Sequence, residues 1–103
     1  MAKPSYKRGT YTGTGAAINI ELGFVPGWLE IINWTDGDER FVFTEGKTFV
    51  HTGGTNATAT VSANGISAFA GVSAGESAPK AAGFTAGTEA SVDTKVYAYI
   101  AYR

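Results

Sequence analysis

The chain has 103 residues, of which 44% are hydrophobic and 17% charged, so its size and composition predict one globular domain. Eight basic and nine acidic residues give a formal net charge of -1, which excludes the global positive field typical of nucleic-acid-binding proteins. The absence of cysteine excludes disulfides, thiolate zinc sites and cysteine nucleophiles.

The N-terminus carries Lys3, Lys7 and Arg8, but no apolar run follows these charges, so no secretory signal is expected. No stretch approaches the roughly 20 apolar residues that a membrane-spanning helix needs. The sequence therefore predicts a protein that is made in the cytoplasm and has no membrane partner.

Short runs of alternating apolar and polar residues recur along the chain, which is typical of β-strands. Residues 6–12 are weakly patterned, and their charges at Lys7 and Arg8 favour an edge strand because charge discourages unwanted strand pairing. Residues 18–22 alternate cleanly, as expected for a half-buried strand. The Pro-Gly pair at 26–27 predicts a type II turn with glycine at the position of positive φ.

The middle of the chain contains strands separated by hairpin signals. The run at 28–34 is apolar on both faces, which predicts a central strand or one partly covered on both sides. The Asp-Gly pair at 36–37 predicts a hairpin, residues 45–47 predict a tight connection, and the Asn-Gly pair at 64–65 predicts a second hairpin. The strands predicted in this region are 28–34, 40–44, 48–52, 58–62 and 66–70.

The last third of the chain begins with a surface loop, predicted at 71–82 from its Gly, Ser and Ala content. A short strand follows from Phe84, and the run at 95–103 alternates between an apolar and an aromatic face. Eight or nine short strands joined by tight turns predict a single all-β domain over residues 1–103. The expected architecture is an antiparallel, jelly-roll-like β-sandwich.

No residue pattern marks an active site. His51 is the only histidine, and no nucleophile motif accompanies it, so the chain is not expected to be an enzyme. The spacing of the glutamates also nominates no carboxylate pair for glycoside cleavage. Asp36, Asp38 and Glu39 lie close together, but an Asp-Gly turn accounts for this cluster without calcium. No metal and no cofactor are predicted.

Two groups of residues are candidate binding residues for a partner. The basic and aromatic N-terminus has too few charges for single-stranded nucleic acid, and it fits either a docking arm over residues 1–12 or a soluble edge strand. The tryptophans and the late tyrosines are types enriched at protein interfaces, although packing between sheets explains them equally well. The tryptophans also suggest a sugar-stacking platform. The candidates are Lys3, Tyr6, Lys7, Arg8, Tyr11, Trp28, Trp34, Tyr97 and Tyr99.

The order of several short motifs resembles small virion proteins of tailed bacteriophages. In that group a Gly-Phe-x-Pro turn leads into an aliphatic strand ending in Asn, and a late Gly-Phe-Thr-x-Gly precedes a Tyr-rich terminal strand. The matching segments, from about Gly23 onward, are Gly-Phe-Val-Pro-Gly-Trp-Leu-Glu-Ile-Ile-Asn at 23–33, Asn-Gly-Ile at 64–66, Gly-Phe-Thr-Ala-Gly-Thr at 83–88 and Lys-Val-Tyr-Ala-Tyr-Ile-Ala-Tyr at 95–102.

This resemblance implies a virion β-sandwich, most like a capsid decoration (cement) protein, because the chain is short and lacks a coiled or collagen-like shaft. The implied partner is the major capsid protein, and the implied location is the capsid surface after assembly in the host cytoplasm. A homo-oligomer is expected, with a closed trimer as the first expectation. The alternative is a tail-fibre or tail-associated module that binds a receptor or glycan through Trp28 or Trp34. No catalytic residue is implied.

Overall fold

The computed structural model of the chain describes residues 6–37, 39–52, 57–61, 64–72 and 80–103, with the backbone alone for 57–59. Nine β-strands and one three-residue 3-10 turn occur in these residues. No helix in this described part is long and apolar enough to cross a membrane.

The strands make two antiparallel sheets. They are β1 (Tyr6–Thr12), β2 (Ile18–Glu21), β3 (Trp28–Asn33), β4 (Glu39–Thr44), β5 (Lys47–Thr52), β6 (Ala57–Val61), β7 (Ile66–Phe69), β8 (Gly83–Ala86) and β9 (Val96–Tyr102). The large sheet has six strands in the order β1-β9-β3-β4-β5-β6, and the small sheet has three in the order β2-β8-β7. The predicted all-β sandwich of eight or nine strands is thereby confirmed.

The strand order follows from short connections at the centre of the large sheet. Strands β3 to β6 form a meander of consecutive neighbours, and β9 and β1 extend it on the other side of β3. The resulting division into six and three strands differs from the eight strands and two Greek keys of a jelly roll. The prediction that residues 28–34 form a central strand is confirmed, because β3 lies between β9 and β4.

The core lies between the sheets, where the inward residues of each alternating strand meet. Aromatic rings fill its middle: Tyr11 stacks on Tyr97 at 5.2 Å between ring centroids, and Phe84 meets the edge of Tyr99 at 5.5 Å. The buried hydrophobic residues are Tyr11, Leu22, Leu29, Ile31, Phe41, Phe43, Ile66, Phe84, Ala86, Ala90, Tyr97 and Ala101.

The predicted hairpin at 36–37 and the predicted tight connection at 45–47 are confirmed. Strands β3 and β4 pair on either side of the Asp-Gly signal, with Gly37 at a φ of 73°. Strands β4 and β5 are joined by Glu45 and Gly46, which both have positive φ, at 54° and 76°. Positive φ at both central residues is the type I′ geometry, whose twist matches that of the flanking strands.

The predicted hairpin at 64–65 is wrong. Strand β6 pairs with β5 and β7 pairs with β8, so these residues carry the chain from the large sheet to the small one. Asn64 does have the positive φ of a hairpin residue, at 59°. Its carbonyl accepts from the Glu89 amide at 3.0 Å, and the Gly65 carbonyl accepts from the Gly87 amide at 2.8 Å. The segment after β8 therefore supplies the hydrogen-bond donors for the connection at 64–65.

The predicted type II turn at 26–27 is also wrong. A type II turn needs positive φ at its glycine, but the positive φ of this segment is at Gly23, at 97°. Gly27 instead continues the pairing of β3 with β9, because its amide donates to the Tyr102 carbonyl at 2.8 Å. Pairing with the last strand thus overrides the local turn preference.

Candidate interaction surface

The outward face of the small sheet is mainly polar. Asn19, Thr85 and Ser67 lie side by side across β2, β8 and β7. The Thr85 hydroxyl donates to Asn19 Oδ1 at 2.6 Å, and on the next row Glu21 accepts from the Ala81 amide at 2.8 Å. Apart from the half-buried Phe69, this face has the pattern expected for a sheet that meets water.

The outward face of the large sheet is mainly apolar and aromatic. We define the outer face as the outward side chains of β1, β9, β3, β4 and β5, together with Trp34, which directly follows β3 and continues its alternation. Its members are Tyr6, Arg8, Thr10 and Thr12 from β1; Val96, Ala98, Ile100 and Tyr102 from β9; Trp28, Glu30, Ile32 and Trp34; Arg40, Val42 and Thr44 from β4; and Lys47, Phe49 and His51 from β5.

Most of the exposed large hydrophobic side chains lie on this outer face. In the described part of the chain seven such side chains are exposed, and only Val25 and Val92 lie elsewhere. The other five, with their exposed fractions, are Trp34 (69%), Tyr6 (47%), Tyr102 (43%), Trp28 (40%) and Ile32 (39%). Exposed apolar side chains that gather on one face of a sheet are typical of interaction surfaces, so the outer face is the candidate.

Charged side chains lie at defined positions on the outer face. Arg8 and Glu30 occupy the strands on either side of Ile100, in the same row of the sheet. The indole Nε1 of Trp28 donates to Glu30 Oε1 at 3.3 Å. A depression of about 170 Å³ lies between these strands, and its lining includes Arg8, Glu30 and Ile32.

Three tyrosines predicted as binding residues lie in the core instead. Tyr11 and Tyr97 are buried, and Tyr99 packs against the core, so none is presented on the outer face. The Tyr11 hydroxyl donates to the Ala90 carbonyl at 2.8 Å. Burial raises the pKa of Tyr11, and the neighbouring Tyr97 raises it further. Burial also raises the pKa of Tyr97 and Tyr99. The small sheet covers this side of β9, which makes these rings core residues.

Of the two interpretations of residues 1–12, a docking arm or an edge strand, the structure gives residues 6–12 the edge strand. Residues 6–12 are β1, an edge strand paired along its length with β9, and Tyr11 anchors it in the core. Lys7 and Arg8 are exposed on opposite faces of β1, and only Arg8 belongs to the outer face. Lys3 lies outside the described residues.

In the turn that contains Asp36, both carboxylate oxygens of this residue accept hydrogen bonds from side chains of the same chain. Asp36 Oδ1 accepts from Lys95 Nζ at 3.0 Å, and Oδ2 accepts from Asn33 Nδ2 at 3.1 Å. Asp38 lies outside the described residues. Within the described ranges no group of three His, Asp or Glu side chains is arranged to hold a metal ion. His51 lies beside Arg40 on the outer face.

A cleft of about 600 Å³ opens between the sheets near the crossing at 64–65. Its described lining is rich in hydroxyls from Thr48, Thr60, Ser67 and Thr85, and it includes neither a carboxylate nor an aromatic ring. The described part of the lining therefore offers no carboxylate for acid–base chemistry and no ring on which a sugar stacks.

Sequence reasoning missed the β9 contribution to the outer face. The alternation at 95–103 does separate Val96, Ala98, Ile100 and Tyr102 from the tyrosines at 97 and 99, so a signal exists. The sequence offers the aromatic side either as an interface or as packing between sheets, and the structure covers that side and exposes Tyr102. Comparisons with protein-family models, with curated proteins and with solved structures find no match to this chain.

Proposed function

We propose that this protein is a structural component of a tailed-phage virion that decorates and stabilises the capsid by binding across adjacent major capsid subunits. The observation that carries this proposal is the contrast between the two broad faces of the sandwich, because the small sheet's face is mainly polar and the large sheet's face carries five of the seven exposed large hydrophobic side chains described. A protein that works alone in water gains nothing from an exposed apolar sheet face. A protein that works inside an assembly covers such a face with a neighbour.

Physical chemistry supports a role in an assembly. A partner that binds only the folded chain adds stability by mass action, which suits a small domain without disulfides. We assign the shell contact to the β4–β5 part of the outer face, where Val42 and Phe49 lie side by side. Arg40 and Lys47 border this pair, so the capsid surface that it fits is apolar with acidic residues at its rim.

The test is co-sedimentation of the purified protein with expanded phage capsids that lack it. We expect saturable binding at a fixed ratio to the shell protein, and at least a tenfold weaker binding for the double variant Arg40→Glu/Lys47→Glu. The matched control is Lys80→Glu, which changes the charge of an exposed lysine next to the small sheet. No binding by the unaltered protein contradicts the capsid role, and equal binding by the double variant contradicts the assigned contact.

A tail-associated, glycan-binding module is the second candidate, supported by the 69% exposure of Trp34. Trp28 begins β3 and Trp34 directly follows its last residue, so the length of an extended strand, about 20 Å over six residues, separates the two backbones. The two indoles therefore act as separate stacking surfaces rather than as one. Glycan-array binding that is lost in Trp34→Ala and kept in Trp34→Phe favours this candidate, and an array without signal counts against it.

A further inference from the structure

The outer face is self-complementary about β9. Strands β1 and β3 flank β9, and the registers place their outward residues in common rows. Tyr6 and Trp28 flank Tyr102, Arg8 and Glu30 flank Ile100, and Thr10 and Ile32 flank Ala98. Each row therefore has an apolar centre on β9 and a different residue type on each side.

Consider two copies whose outer faces are in contact. A two-fold axis that lies midway between the two sheets and runs parallel to β9 exchanges the strands that flank β9. It places β1 of one copy over β3 of its partner, and the reverse, while β9 faces β9. Face-to-face sheets pack with their strands within about 30° of each other, so the rows stay matched near the axis. Such an interface is isologous: each contact occurs twice.

Charge complementarity is the strongest argument for this arrangement. Arg8 and Glu30 of one copy are separated by two strand spacings, about 10 Å between their backbones, so they are not opposed within the chain. The two-fold operation places Arg8 of one copy opposite Glu30 of the other, twice per pair. Glu30 is half-buried, and the Trp28 indole donates to its carboxylate. This hydrogen bond holds the Glu30 carboxylate on the outer face, where Arg8 of the other copy lies in the dimer.

The apolar area also fits a pair of copies. Aromatic side chains bury about 200 Å² each, so the exposed fractions of Tyr6, Trp28, Tyr102 and Trp34 correspond to roughly 400 Å². A standard interface buries about 800 Å² per partner. Four aromatic side chains thus supply about half of that area, and the aliphatic, threonine and charged members of the rows add to it.

Pairing of two copies through the free edge of β1 is the competing arrangement. Lys7 lies on the face of β1 that points towards the core side of the sandwich, and it is exposed there. An inward-pointing charge on an edge strand discourages the addition of another strand. Lys7 therefore protects the edge of β1 against the addition of another strand, whereas no such charge protects the apolar rows of the outer face against a second copy.

We propose that the outer face over β1, β9 and β3 binds a second copy of this chain in a two-fold dimer, with Arg8 of each copy paired to Glu30 of the other. This proposal goes beyond the capsid role and replaces the trimer expected from the sequence. It leaves the β4–β5 part of the outer face for the shell. A dimer with its axis along β9 presents two such parts, one on each side.

The test is the mass of the protein in solution, measured by sedimentation velocity across a concentration series. We expect a dimer for the unaltered chain, and at least a tenfold weaker self-association for Arg8→Glu and for Glu30→Arg, because each variant opposes like charges twice. The matched control Lys7→Glu makes the same charge change one residue along, on the opposite face of β1, and is expected to remain dimeric. Circular dichroism confirms that each variant is folded.

A mixture of the two single variants gives the decisive result. When Arg8→Glu meets Glu30→Arg, both cross-copy positions again hold opposite charges, so a heterodimer is expected from two weakly associating chains. The double variant Arg8→Glu/Glu30→Arg is expected to regain the homodimer. A monomer or trimer for the unaltered chain, or a mixture that does not associate, overturns the proposal. These masses are measured without capsids, so a failure of the capsid role leaves them unaffected.

Discussion

The hydroxyl groups of the core tyrosines Tyr11 and Tyr97 form hydrogen bonds with backbone groups of the same chain. The Tyr11 hydroxyl donates to the Ala90 carbonyl at 2.8 Å, and the Tyr97 hydroxyl accepts from the Val92 amide at 3.1 Å. Both partners belong to the segment between β8 and β9, so this segment is tied to the core through phenol groups. Among the described side chains no buried polar atom is left without a partner.

Because burial raises the pKa of Tyr11, Tyr97 and Tyr99, we predict that the protein loses stability in alkali. The unfolded chain releases tyrosine protons from about pH 10, while the folded chain keeps them to higher pH. The folded state therefore binds more protons above pH 10, and stability falls there by up to about 1.4 kcal/mol per pH unit for the deeply buried Tyr11, with Tyr97 and Tyr99 acting in the same direction. Below pH 10 this contribution is fully present.

Urea unfolding between pH 7 and pH 11 measures this effect. Tyr11→Phe is expected to cost about 1 kcal/mol at pH 7, through the lost hydrogen bond, and to flatten the alkaline decline. The control Tyr102→Phe changes an exposed tyrosine and is expected to leave the decline as it is. If the free energy of unfolding falls equally steeply with pH in Tyr11→Phe, the buried Tyr11 is not a cause of the alkaline loss of stability.

At the scale of elements, β1 is part of the sandwich rather than an appendage. All of its residues pair with β9, and Tyr11 contributes a ring to the aromatic core. Without β1, β9 becomes an exposed edge and the core loses one of its stacked rings. Residues 6–12 are therefore part of the folded sandwich and do not form a free arm.

We therefore predict that deletion of residues 1–12 abolishes cooperative unfolding, because it removes a ladder and a core side chain together. Deletion of residues 1–5 keeps every pair of the β1–β9 ladder and is the matched control, in which cooperative unfolding is expected to remain. Thermal unfolding followed by circular dichroism distinguishes the two deletions. A cooperative transition in the chain without residues 1–12 contradicts the assigned role of β1.

At the scale of the whole molecule, one buried hydroxyl helps to join the two sheets. Thr48, on β5 of the large sheet, accepts from the Ile66 amide at 2.9 Å and donates to the Ile66 carbonyl at 3.1 Å. Ile66 begins β7 of the small sheet, and both residues are buried. The hydroxyl thus takes the place of a backbone partner where the chain leaves one sheet for the other.

We predict that Thr48→Val destabilises the protein by about 1–3 kcal/mol, because it leaves buried backbone groups of Ile66 unpaired. Thr48→Ser keeps the hydroxyl and loses only a methyl group, so it is expected to cost about 0.8 kcal/mol. Urea unfolding at neutral pH measures both variants. If valine proves no more costly than serine, the hydroxyl does not carry this contact.

Local sequence patterns specify the strands, several of their ends and some of their turns. Period-2 alternation and local turn chemistry are properties of neighbouring residues, so β1, β3 and the type I′ turn at 45–46 were predictable without any long-range contact. The same holds for the edge position of β1, which its charges indicate. Whether the two tryptophans lie in the core or on the surface does not follow from the sequence, and the structure exposes both on the outer face.

Long-range contacts, by contrast, determine which strands share a sheet and which side of β9 is covered. Alternation defines two faces but does not say which one meets the other sheet, and β9 is apolar on both. The small sheet brings Phe84 against Tyr99, which turns one face into core and leaves Ile100 and Tyr102 outside. The segment at 64–65 crosses between sheets for a related reason: its partners lie more than 20 residues further along the chain, beyond the reach of local sequence.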